Sequence, residues 1–125
     1  MKIMIVDDEA DIESLFRQKF KKELREGLIR FQYCHSAENA IEYLDGTNGA
    51  DLIIILSDIN MPGMNGLELL RIIKERYSHL KVFMITAYDD QNNYRKAVEF
   101  GADDYLTKPI DFEKLKNIIL QIKVT

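Results

Sequence analysis

The chain alternates between two hydrophobic periods, and that alternation restricts its fold more than any other feature. Ile3-Met4-Ile5-Val6, Leu52-Ile53-Ile54-Ile55-Leu56 and Val82-Phe83-Met84-Ile85 are unbroken apolar runs. A strand with one face in water reads apolar–polar–apolar, whereas an unbroken run suits a strand covered on both faces. Between the runs, apolar residues return at helical spacing. Ile12, Leu15, Phe16, Phe20 and Leu24 form one such stripe, and Gly27 stands where a helix end takes a left-handed residue. Leu28–Cys34 is rich in strand formers, and Ser36 is placed to cap a helix bearing Ala37, Ala40, Ile41 and Leu44, closed by Gly46. Asn65-Gly66-Leu67-Glu68 has the spacing of a capping box and opens a helix with Leu70, Ile73 and Tyr77 on one side. Asp89 or Asp90 starts the helix of Tyr94, Ala97 and Val98, which Gly101 ends before the short strand Tyr105-Leu106-Thr107. Asp111 caps the last helix, with Ile110 and Leu115 as a hydrophobic staple and Phe112, Ile118, Ile119 and Ile122 turned inward.

Strand and helix thus alternate five times. Covered strands joined by helices make a parallel sheet, and right-handed crossovers place helices on both of its faces. The expected fold class is α/β, a doubly wound (βα)5 unit around a five-stranded parallel sheet, with residues 1–125 as one domain. A chain of 125 residues suffices for one continuous core.

Charge and cysteine usage narrow the function classes. The net charge of −4 argues against direct nucleic-acid binding. Arg17, Lys19, Lys21, Lys22 and Arg25 crowd one helical segment, where a solvated face is the simpler reading. Cys34 is the only cysteine, which leaves no internal disulfide and no cysteine-based zinc site. The apolar run behind Lys2 is too short for a signal peptide, and no stretch approaches a membrane span, so a cytoplasmic location is expected.

Parallel open sheets collect chemistry at the C-terminal ends of their strands. Asp7-Asp8-Glu9 follows the first strand, Asp58 the third, Thr86-Ala87 the fourth and Lys108-Pro109 the fifth. Carboxylates gathered at one edge repel unless a cation lies between them, and oxygen ligands without His or Cys favour Mg²⁺, with Mn²⁺ as a substitute. Lys108 offers a point charge for a phosphoryl oxygen, and the Thr86 hydroxyl offers a donor for another. Asp58 then has the surroundings of a nucleophile that attacks phosphorus and becomes an aspartyl phosphate.

IMIVDDE, SDINMPGMNG, ITA and GADDYLTKP, in this order along the whole chain, resemble the signatures of the response-regulator receiver domain of two-component signalling. The resemblance implies strand order 2-1-3-4-5, with Asp58 as phosphoacceptor. It implies Asp7, Asp8 and Asp58 as metal ligands, joined by the Asn60 backbone carbonyl. Thr86 and Lys108 correspond to the groups that hold the phosphoryl, and Tyr105 to an aromatic switch that follows Thr86. Asn60 and Tyr88 occupy positions that tune phosphoryl lifetime in such proteins. A cis bond before Pro109 is common among them. The implied partners are a histidine kinase or histidine phosphotransfer protein as donor, and a downstream effector or output domain, with a phosphorylation-dependent dimer as another output. The implied role is regulatory rather than enzymatic, with self-phosphorylation and autodephosphorylation chemistry built in.

Competing readings exist for both the function and single residues. A receiver fold used as a constitutive docking module has no need of the acid, Thr and Lys set. A haloacid-dehalogenase-like phosphatase needs a second acid two residues after the nucleophile, where this chain has Asn60. A flavin-binding flavodoxin-like protein would want a Ser/Thr-rich phosphate loop after the first strand, where this chain has acids that would repel the FMN phosphate. Glu9 reads as a helix-start charge, Asp103-Asp104 as a turn, Tyr94 and Phe100 as packing, and His35 and His79 as surface residues.

Overall fold

The computed structural model describes residues 1–48, 51–87 and 90–124. The order is β1 (Lys2–Val6), α1 (Ile12–Lys19), α2 (Lys21–Arg25), β2 (Arg30–Cys34), α3 (Ala37–Tyr43), a π-helical turn (Leu44–Asn48) and β3 (Leu52–Asp58). It continues with α4 (Gly66–Arg76), β4 (Lys81–Thr86), α5 (Gln91–Glu99), β5 (Asp104–Thr107) and α6 (Phe112–Val124). All pairings are parallel, as expected from the apolar runs, and the sheet order is β2-β1-β3-β4-β5, as the resemblance implies.

Alternate residues along each strand feed two cores, as period-two geometry requires. Met4, Val6, Ile55, Val82 and Met84 face the layer of α3, α4 and α5, where Ala37, Ala40, Leu70, Ile73 and Ala97 are buried. Ile3, Ile5, Ile54, Leu56, Phe83 and Ile85 face the layer of α1 and α6, with Phe16, Phe20, Leu115 and Ile119. An aromatic cluster fills the centre of this second layer. Phe16 stacks on Phe20 at 5.9 Å between ring centroids and meets Phe112 edge-on at 5.3 Å, while Phe31 meets Phe20 edge-on at 5.2 Å.

Several local signals act as read. Ser36 Oγ accepts from the Asn39 N–H, Asn65 Oδ1 from Glu68 N–H, Asp90 Oδ1 from Asn93 N–H and Asp111 Oδ1 from Lys114 N–H. Gly27 and Gly101 take φ of 72° and 92° beyond helix ends. Other expectations need correction. The stripe from Ile12 to Leu24 is two helices, interrupted at Phe20 (φ −109°, ψ 24°), whose ring is fully buried in the aromatic cluster. Gly46 does not close α3, because the chain runs on through it as the π-helical turn. Leu28 and Ile29 precede β2 rather than belonging to it. Tyr94 and Val98 are exposed on α5, so Ala97 alone of that trio is buried. Asp89 lies outside the described residues, and Asp90 is the cap.

Asp103 does more than turn the chain. Its Oδ2 accepts from the Val82 N–H at 2.8 Å and from Lys74 Nζ at 2.6 Å, and Lys74 also donates to the Leu80 carbonyl. This ties the end of α4 to the start of β4 and to the approach to β5.

Candidate functional site at the strand tips

Strand register brings the chemistry together. Val6 pairs with Ser57, so Asp7 emerges beside Asp58. Asp58 pairs with Ile85, and Thr86 follows at the next step. Thr86 in turn pairs with Thr107, one residue before Lys108, whose N–H donates to the Thr86 carbonyl at 2.8 Å. Four neighbouring strands therefore deliver their tip residues within one register step of each other.

Oxygen atoms of Asp7, Asp8 and Asp58 all lie within 4.8 Å of one another, a spacing that suits a single hard cation. Asp7 and Asp58 are buried while Asp8 is exposed, so the group opens to solvent on one side. Lys108 Nζ donates to Asp58 Oδ2 at 3.1 Å and stands 3.9 Å from Asp7 Oδ2. Its bond to Pro109 is cis. No His or Cys belongs to this cluster of acids, and the donor set is one that Mg²⁺ accepts.

The electrostatics record what gathering these charges costs. Burial pushes the Asp7 carboxyl from 3.8 to about 6, helped by the Asp58 charge and opposed by the hydrogen bond from the Glu9 N–H and by Lys108. Burial also raises Asp58, against the pull of the Lys108 ammonium and the neighbouring Asn60 N–H. Lys108 is raised in spite of its burial by Asp58, Asp7 and Glu9. The raised Asp7 carboxyl sets a pH dependence. The folded metal-free protein holds a proton there that the unfolded chain releases, so this contribution to stability is full below pH 3.8 and is lost as pH rises to about 6. Asp7→Asn removes the buried charge, and the metal-free variant is expected to be more stable than wild type at pH 7 by about 2–3 kcal/mol. That advantage should vanish near pH 4, and Mg²⁺ should stabilise wild type but not the variant. Urea unfolding at both pH values, with chelator and with Mg²⁺, measures all three.

Thr86 is fully buried, and its Oγ1 has no hydrogen-bond partner among the described residues. A hydroxyl left unsatisfied inside a protein calls for an explanation, and an incoming anionic oxygen supplies one. Tyr105 is half-buried. Its hydroxyl donates to the Asp90 carbonyl at 3.4 Å, and its ring meets Tyr94 edge-on at 4.8 Å. Burial raises its phenol, while the nearby Thr86 hydroxyl lowers it without forming a hydrogen bond of good geometry. Asn60 is exposed in the loop directly after β3. Tyr88 lies outside the described residues.

Glu9 belongs to the site's surroundings in a way its sequence position does not reveal. Its Oε1 accepts from Lys108 Nζ at 3.2 Å, so one ammonium is shared between Glu9 and Asp58. The two partners stand 99 residues apart in the chain, and no local pattern announces their contact. His35 and His79 are exposed as expected, and His35 Nε2 lies 3.4 Å from Glu13.

Comparison with known proteins agrees with this arrangement. The family described as response regulator receiver domain matches residues 3–120. The DNA-binding transcriptional regulator NtrC of Proteus hauseri is 37% identical over 117 residues, covering 94% of this chain and 23% of that protein. Sporulation initiation phosphotransferase F of Bacillus subtilis is 31% identical over 118 residues, covering 94% of this chain and 90% of that one. The chain spans between 22% and 30% of the length of the first curated relatives it matches. A CheY-like receiver domain protein from Methanospirillum hungatei superposes with a TM-score of 0.82 at 26% identity, covering 96% of this chain and 90% of that one. Fold, strand-tip chemistry and family match converge: the chain belongs to the response regulator receiver domain family, the phosphoacceptor signalling domains of two-component systems.

Proposed function

We propose that Asp58 is the residue that accepts the phosphoryl group, in a reaction assisted by Lys108, Thr86 and a divalent cation on Asp7, Asp8, Asp58 and the Asn60 carbonyl. The observation that carries this reading is the junction of three carboxylates within 4.8 Å with an ammonium 3.1 Å from the central one. An Asp58 carboxylate oxygen attacks phosphorus, and the bond from phosphorus to the donor's imidazole nitrogen breaks. The electron pair stays on that nitrogen, which takes a proton from solvent. Lys108 moves from the carboxylate to a phosphoryl oxygen, and the Thr86 hydroxyl donates to a second one. Bound Mg²⁺ would offset charge on the transferring group.

The product carries more negative charge than the carboxylate it replaces, so Thr86 and Lys108 are drawn toward it. Tyr105, packed between Thr86 and Tyr94, couples that displacement to α5 and β5. The exposed Tyr94 and Val98 then belong to the surface whose partner affinity, or self-association, changes. A histidine kinase or histidine phosphotransfer protein is the donor, and an effector protein or attached output domain is the receiver of the signal. The role is regulatory. Among the described residues no helix is long and apolar enough to cross a membrane; cytoplasmic work fits these partners.

Intact-mass measurement after incubation with acetyl phosphate tests the reading. A phosphoryl adduct is expected with Mg²⁺ and not with chelator, and it should be lost on standing as water attacks phosphorus. Equal labelling with and without the metal would overturn it.

A further inference from the structure

Glu38 has no place in the site as read from sequence, yet its carboxylate reaches the loop that follows Asp58. It sits in the first turn of α3, is exposed, and its Oε2 accepts a hydrogen bond from the Met64 N–H at 3.2 Å. Elsewhere the segment is held at its start, where the Ile59 N–H donates to the Ile85 carbonyl at 3.0 Å, and by its apolar side chains. Met61 is buried in the core, Met64 packs against it, and the Gly66 N–H donates to the Ile59 carbonyl at 2.8 Å, closing the segment on itself. Gly63 fits the Glu38 contact twice over. Its φ is +75°, and a Cβ there would lie 2.8 Å from Glu38 Oε2. The backbone at Gly63 is therefore bare where the carboxylate passes.

We propose that Glu38 is a positioning residue for the metal site: its carboxylate holds the 60–65 loop from α3, and thereby fixes Asn60 beside Asp58. This rests on the reading of the Asn60 carbonyl as a metal ligand. A ligand carbonyl on a loop free to move must be ordered when the ion binds, and that ordering subtracts from affinity. A loop ordered beforehand binds without that loss. Glu38 is not among the acids whose oxygens meet within 4.8 Å, and its link to the loop is the bond from the Met64 N–H.

Mg²⁺ titration of the full chain, followed by calorimetry and by amide hydrogen exchange at Met64, tests the idea with Glu38→Ala and Glu38→Gln. Gln keeps a carbonyl oxygen as acceptor but discards the charge. Glu38→Ala is expected to weaken Mg²⁺ about five-fold, the scale of one hydrogen bond, and to speed exchange at Met64. Glu38→Gln should stay within about two-fold of wild type with exchange near the wild-type rate. Equal affinity in Glu38→Ala and wild type would overturn the proposal. So would an equal loss in both variants, since that would mark a long-range charge effect rather than a held loop. Failure of wild type itself to bind Mg²⁺ would instead remove the metal site, and with it the ground for the inference.

Discussion

Asp58→Asn is expected to take up no phosphate from acetyl phosphate in Mg²⁺, with labelling below a hundredth of wild type. The amide has nearly the shape of the carboxylate, so β3 and its neighbours have no steric reason to move. What disappears is the nucleophilic oxygen anion and one member of the group of acids. The variant also loses a buried charge whose carboxyl is raised chiefly by burial, while Lys108 keeps Glu9 as a partner. Its unfolding midpoint without metal is therefore expected to equal or exceed that of wild type. Intact mass and urea unfolding on the same sample separate a chemical loss from a folding loss. Labelling of the folded variant at the wild-type level would show that another residue accepts the phosphoryl group.

Gly66→Ala should be the most damaging single-methyl change at the site, costing about 3–5 kcal/mol of stability. A Cβ at this position would stand 2.1 Å from the Asp58 carbonyl oxygen and 2.9 Å from the Ile59 Cα. Both are backbone atoms of the strand end, which cannot turn aside as a flexible side chain can. The α4 N-terminus would have to lift from β3, breaking the bond from the Gly66 N–H to the Ile59 carbonyl and pulling the Asn65 cap with it. Urea unfolding should show a large fall in the midpoint, whereas Gly27→Ala, with nothing within 4 Å of its Cβ, meets only the strain of its positive φ. An unchanged midpoint for Gly66→Ala would show that α4 is free to shift at little cost.

Most of the fold was legible because the strands are covered on both faces. A run such as Val82-Phe83-Met84-Ile85 has no polar face to confuse its period, and all four residues are buried. Helix starts were legible for a similar local reason, since Ser36, Asn65 and Asp111 each bond an N–H three residues on. The break at Phe20 was not legible, because Phe16, Phe20 and Leu24 keep helical spacing through it. What accompanies the break is tertiary: the packing of Phe20 with Phe31 and Phe112. Tyr94 and Val98 misled in the opposite direction, being apolar residues on a helix that buries only Ala97. At the site, the acids, Thr86 and Lys108 were legible as strand-tip residues, since topology alone collects such positions. Glu9 and Glu38 were not. Their contacts span 99 and 26 residues of chain and depend on side-chain reach, which no spacing rule encodes.

Lys108 stands at the end of the last strand and touches acids from the first and third, so the pocket has no existence in any partial assembly of the sheet. A fragment ending before β5 would carry every acid and none of the counter-charge. A phosphoryl group held there by Lys108 would therefore favour the sheet with β5 in place, and its binding free energy would add to the cooperative unfolding of the whole. Phosphoryl chemistry and sheet integrity would in this way depend on the same ammonium.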